Sequence, residues 1–230
     1  MQRRRTRTRA ALLDVAERAF MLDGFHAVSI EMLADEADVS VGSIYNLFSS
    51  KLGLYLAVAE RATDLFAEVL QRAYAASDSP LEQVMACGDA YLRFHLEHPG
   101  AFRLIAFEGV DRRMSPADEE LQRAVTAKTI EALDGFRDHI AAAVAAGEAG
   151  QHVDPDLTAR VLFASWNGMI GLGLRHDDLA LDDDQIAAMI EQARRIVLNG
   201  LTDPAYRDSS GMSQARLLSV PAEADDPAPA

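Results

Sequence analysis

Apolar residues recur at spacings of three and four along most of the chain, while period-two alternation is nearly absent, so the pattern predicts an all-α protein. Leu12, Val15, Ala16, Ala19 and Phe20 mark one face of a first helix that ends at Gly24. Short helices follow over 30–37 and 41–47, and Leu54, Val58, Leu65, Phe66, Val69 and Leu70 trace the inner face of a long helix over 52–76. Ser79-Pro80-Leu81-Glu82 reads as a capping box with proline at the first helical position, and Pro99 stops the helix it opens. A short helix over 100–108 comes next. Ser115-Pro116-Ala117-Asp118 opens a long helix to 147, Asp154-Pro155 opens one to 175, and a last helix runs over 183–201, giving roughly nine.

The pattern divides the chain into a three-helix N-terminal head, 1–51, and a larger helical bundle, 52–202. Beyond Asp203, Ser, Pro, Ala and Asp without periodicity predict a disordered tail, 203–230. Val161 to Leu174 is the longest nearly apolar run, and it is too short for a bilayer that needs roughly 20 residues. Asp14 and Glu17 break the apolar stretch a signal peptide would carry after Arg3-Arg4-Arg5. The expectation is a soluble, cytoplasmic protein without membrane contact. The single cysteine, Cys87, allows no intrachain disulfide and reads as a small buried hydrophobe rather than a redox sensor.

Net charge is −14, which at first argues against a nucleic-acid partner. Its distribution changes that picture. Residues 1–51 carry seven basic and seven acidic side chains, five of the basic ones within Arg3–Arg9; residues 52–230 carry 15 basic and 29 acidic. A basic arm on a neutral head, attached to an acidic body, suits a protein that meets phosphate at one end only. The arm taken alone equally suits a solvated terminus.

Residues 29–51 carry the most specific pattern. Leu33, Ala34 and Ala37 form the inner face of a two-turn helix, Asp38 suits the left-handed conformation of a tight turn, and Val39 fills the corner. Ser40 caps the next helix, which turns Ile44 and Phe48 inward. Val41, Gly42, Ser43, Tyr45 and Asn46 are left outside, an uncharged face with small and hydrogen-bonding residues of the kind that enters a major groove. On spacing alone the segment fits an ordinary αα-hairpin as well as a helix-turn-helix.

The stretch closely resembles the DNA-binding head of the tetracycline-repressor (TetR) family. The matching positions are Gly24-Phe25, Ala34, Ala37, Val39-Ser40, Gly42-Ser43-Ile44-Tyr45, Phe48 and Lys51. The chain departs from that pattern at Ser29 for Thr, Leu33 for Ile, Asp38 for Gly and Leu47 for His or Tyr. The resemblance implies a DNA-binding transcriptional regulator, expected to be a homodimeric repressor on a palindromic operator in double-stranded DNA. It implies phosphate-positioning roles for Ser29, Ser43, Tyr45 and Lys51, and places Val41, Gly42 and Asn46 nearest base edges, with Ser40 at the helix start. Arg5 and Arg7 belong to an arm that reaches an adjacent minor groove, as arms of other helix-turn-helix proteins do.

For the larger bundle the resemblance implies a small-molecule effector, and Phe66, Tyr91, Phe94, Phe102, Phe107, Phe136, Trp166 and Met169 are the candidate walls of an apolar site. The same residues at helical spacing fit plain core equally. Trp166-Asn167-Gly168 is similar to a Trp-His-Gly signature of one C-terminal subgroup. Dimerisation is expected through the last two long helices, where Ala164, Gly168 and Gly171 allow close approach. No catalytic residue, cofactor or metal is expected: phosphate loops, Gly-x-Ser-x-Gly elbows, Ser-x-x-Lys and paired cysteines are missing from the sequence. His95 and His98 stand three apart and read as a polar helix end rather than a metal pair.

Overall fold

In a computed structural model the described residues are 2–106, 116–175 and 177–220. They form α1 (Gln2–Ala27), α2 (Ile30–Glu36), α3 (Val41–Phe48), α4 (Lys51–Tyr74), α5 (Pro80–Glu97), α6 (Pro99–Ala106), α7 (Pro116–Ala145), α8 (Pro155–Gly171) and α9 (Asp183–Leu201). Two short 3-10 turns, Leu172–Leu174 and Pro204–Tyr206, and two isolated β-bridges complete the regular structure among these residues. The fold is all-α, as the apolar spacing predicts. No helix among the described residues is long and apolar enough to cross a membrane.

Two compact units emerge. The first comprises residues 1–66 and 98–132, the second 67–97 and 133–230. This division differs from the boundary after residue 51, because α6 and the first half of α7 pack with the head rather than with the later helices.

The first unit is built around Phe20. Its ring meets Phe25 at 5.9 Å and Tyr55 at 5.4 Å between centroids, and Leu12, Val28, Leu33, Ile44, Phe48 and Leu54 close the core around it. Those side chains come from α1, α2, α3, α4 and, for Val28, the link between α1 and α2, so the apolar stripe of each short helix is buried in one place. Arg61 of α4 ties to Asp14 at 2.6 Å and also to Glu17, both on α1. Gly24 breaks the helical path of α1 with φ 77°, a left-handed value that disfavours a side chain. The basic segment expected as an arm is helical from Gln2 onward and continuous with α1.

In the second unit Gly88 brings α5 close to α8 and α9. A Cβ there would lie 3.0 Å from Cγ of Arg194 and 3.1 Å from Cζ2 of Trp166. Arg194 is buried, donating from Nε to the Met85 carbonyl at 3.0 Å and from a terminal nitrogen to Glu191 at 3.0 Å. Its other terminal nitrogen donates to the Leu218 carbonyl.

That last contact corrects an expectation. The described part of the presumed disordered tail, 203–220, is held against this unit. Ala215 and Val220 are buried, the Val220 N–H donates to Asp89 at 2.7 Å, and Arg216 pairs with Glu82. Polar composition predicts disorder only when few partners exist; here two buried carboxylates and a buried guanidinium supply them. Residues 221–230 lie outside the described residues.

The capping box at Ser79 is half made. Ser79 Oγ accepts from the Glu82 N–H at 3.2 Å, but the Glu82 carboxylate turns to Ser77 and Arg216 instead of back to the Ser79 N–H.

Candidate DNA-binding site

Ser29 and Ser40 set the two short helices. Ser29 Oγ accepts from the Met32 N–H at 3.1 Å, and Ser40 Oγ from the Ser43 N–H at 3.2 Å, each satisfying a donor that the first helical turn leaves over. Between the helices Asp38 takes φ 51°, and the Val39 N–H bonds back to the Ala34 carbonyl at 2.9 Å. Ser49, with φ 66°, closes α3, a second left-handed position that no sequence signal marks. With Ile44 and Phe48 buried, α3 is fixed by its inner face and leaves the opposite one outward.

That outer face carries the expected residues. Gly42, Tyr45 and Asn46 are exposed, while Val41 and Ser43 are half-buried. A Cβ on Gly42 would meet only Ser40 Oγ, at 3.9 Å, so packing within the chain does not require the glycine. Ser43 and Ser40 share a hydrogen bond between their hydroxyls at 2.8 Å.

A groove of about 620 Å³ runs between the start of α1 and the recognition helix, α3. Arg5 and Thr8 line it from α1, Ser43, Asn46 and Leu47 from α3, and Asp38, Val39 and Ser40 from the turn. Arg5, Ser40, Ser43 and Asn46 are thereby brought together. Thr8 was not anticipated, although its place three residues after Arg5 puts both on one face of a helix. Arg7 is exposed but does not line this groove, and neither do Ser29, Val41, Gly42, Tyr45 or Lys51. Lys51 sits with its ammonium 4.5 Å from the Phe25 ring centroid, and partial burial pulls its pKa below the usual lysine value. Arg9 lies over Phe48 at 5.4 Å.

The candidate effector residues are divided between the units. Phe66 and Phe102 are buried members of the first; Tyr91, Phe94, Phe136, Trp166 and Met169 belong to the second; Phe107 lies outside the described residues. The Trp166 indole N–H is buried and finds no acceptor among the described residues. Burial pushes the Cys87 thiol up to about 12, so it stays protonated, and raises the phenols of Tyr74 and Tyr91 as well. His95 is buried with Nε2 3.7 Å from Asp183, and no cluster of three metal-ligating side chains occurs among the described residues.

Two family models match this chain. The model for bacterial regulatory proteins of the tetR family covers residues 12–58, and the tetracyclin repressor-like C-terminal domain covers 84–195. The chain belongs to the TetR family. A curated relative, the HTH-type transcriptional activator FasR of Mycolicibacterium smegmatis, is 35% identical over 102 residues. That match covers 44% of this chain and 46% of the relative, so the chain spans under half the length of the curated relative it matches. A TetR/AcrR-family regulator from Thermobifida fusca superposes with a TM-score of 0.61 at 27% identity, over 84% of this chain and 97% of that one. FadR of Bacillus subtilis, solved with stearoyl-CoA, superposes with a TM-score of 0.69 at 14% identity, over 84% and 98% of the two chains. This TetR-family chain thus pairs a helix-turn-helix head with a helical C-terminal domain.

Proposed function

We propose that this TetR protein binds a palindromic operator as a homodimer and represses transcription until a small, largely apolar effector releases it. The supporting observation is the outer face of α3: uncharged, hydrogen-bonding, unobstructed at Gly42, and bordered by a groove carrying Arg5. Backbone-near residues of this kind suit base edges, Ser29, Ser43, Tyr45 and Lys51 suit phosphate positioning, and Arg5 and Arg7 suit an adjacent minor groove.

The test is a gel shift with the DNA upstream of the gene, or with duplexes selected from a random pool. Asn46→Ala relaxes preference at one base pair. Lys51→Ala weakens all sequences alike and lowers the salt slope by about one per head. Retention of no duplex at all would leave a helical interaction module in place of a regulator.

The homodimer draws support from α8, where Leu157, Val161, Ala164 and Gly168 are exposed at helical spacing, and from exposed Ile196 on α9. The effector is assigned to the second unit, with Tyr91, Phe94, Phe136, Trp166 and Met169 as its walls. Long-chain acyl-CoA is the first probe, because a neighbour of this fold was solved with stearoyl-CoA. Any effector must prefer the non-binding conformation, and a tenfold loss of operator affinity needs about 1.4 kcal/mol of coupling. Quenching of Trp166 fluorescence together with release of the operator is the expected result. No response across lipophilic compounds would leave a constitutive repressor.

A second reading has its own support: the curated relative is named an activator. A reporter gene behind the selected operator separates the two, since deletion of the regulator raises expression from a repressed promoter and lowers it from an activated one.

A further inference from the structure

The groove beside the recognition helix contains a residue that works against its purpose. Asp38 stands in the turn between α2 and α3, exposed, and lines the same groove as Arg5, Thr8, Ser43 and Asn46. Among the described residues its carboxylate makes no hydrogen bond or ion pair, whereas Asp14, Glu17 and Glu36 of the same head are all engaged with arginines. Its backbone is left-handed with φ 51°, a conformation that glycine adopts without strain and asparagine tolerates nearly as well. The turn geometry admits an aspartate but does not require its charge. A free carboxylate in a groove otherwise lined by neutral polar and apolar side chains and one guanidinium repels any phosphate that approaches, and does so whatever the base sequence.

We infer that Asp38 is an electrostatic brake on DNA binding: its carboxylate lowers affinity for operator and non-operator duplex alike, holding residence on bulk DNA down while Asn46 and its neighbours keep the discrimination. The inference rests on the DNA-binding reading of α3 given above. It adds to that reading a residue whose removal strengthens the function instead of impairing it. The scale follows from one like charge near a solvated phosphate, about three- to tenfold in affinity per head at low salt and less as salt rises.

The experiment compares the full-length wild type with Asp38→Asn and Asp38→Glu on two probes, a duplex selected by the wild type from a random pool and an unrelated mixed-sequence duplex, across a salt series. Asp38→Asn keeps the left-handed turn and removes the charge, so both duplexes should bind about three- to tenfold tighter per head at low salt, with a steeper salt dependence and an unchanged ratio between them. Asp38→Glu keeps the charge and should stay near wild type or below. Thermal melting of each variant shows that the head is folded. Equal or weaker binding of folded Asp38→Asn to the mixed duplex overturns the brake. Loss confined to the selected duplex would make Asp38 a base reader instead, accepting from a cytosine amino group. If neither wild type nor variant binds any duplex, the DNA-binding reading itself falls and the brake falls with it.

Discussion

Arg216 holds Glu82 from three directions: Nε donates to one carboxylate oxygen at 3.0 Å, a terminal nitrogen to the other at 3.1 Å, and the backbone N–H to the first at 2.9 Å. The pair joins a residue near the end of the chain to the first turn of α5. Glu82 is buried while Arg216 is largely exposed, so the acid depends on the base more than the reverse.

Arg216→Ala therefore leaves a buried carboxylate without its main donor and should lower the urea midpoint. Glu82→Gln should cost less, since an amide needs no counter-charge. Hydrogen bonds from Arg216 hold the Glu82 carboxyl down to about 2, with help from Ser77 and against the opposing effect of burial. A depressed acid stabilises the fold above its unfolded value and loses that contribution as pH falls through the folded value. The stability gap between wild type and Glu82→Gln should thus be constant at neutral pH and close between about pH 4.5 and about pH 2.

Ser40→Ala removes the side-chain N-cap of α3 and also the hydroxyl partner of Ser43. The expected loss is about 1 kcal/mol in the stability of the head, measured by denaturant unfolding followed through backbone amides of α3. Ser40→Asp should keep most of that stability, as aspartate caps equally well, while adding a charge to the groove beside α3.

Gly88→Ala places a methyl group 3.0–3.1 Å from the middle of Arg194 and from the Trp166 ring, both buried, with Arg194 held at its guanidinium. Overpacking of this kind costs about 1–3 kcal/mol. Trp166 emission should shift in the same variant, because its indole is one of the displaced neighbours. An unchanged melting temperature and spectrum would mean that Arg194 yields freely.

Val161→Asp bears on association. Val161 is exposed midway along the apolar stripe of α8, and a charge there should convert a dimer to a monomer in light scattering without lowering secondary structure. Gly168 was expected to let helices approach closely at a dimer contact. It faces open space, with nothing within 4 Å of a Cβ. Gly168→Phe should accordingly disturb association and leave the interior of the unit intact.

What could be read from sequence was local. The Ser40 cap, the left-handed Asp38 and the break at Gly24 each depend on residues a few positions apart, and all three are present. So is the burial of Ile44 and Phe48, because helical periodicity fixes which residues share a face. The misses are long-range. Arg216 lies 134 residues from Glu82, and nothing in the polar stretch after Asp203 signals that buried acids await it. Lys51 matches a family pattern, but its placement over Phe25 depends on how α1 and α4 meet.

The docked tail also bears on where this domain ends. The C-terminal family model stops at residue 195, before α9 is complete and before the tail begins. A chain shortened after Thr202 would keep every helix yet strip Arg216 from Glu82, the Val220 N–H from Asp89 and the Leu218 carbonyl from Arg194. The edge of the shared pattern and the edge of the folded unit are therefore different places, and a fragment cut at the former would be helical but loosened along α5.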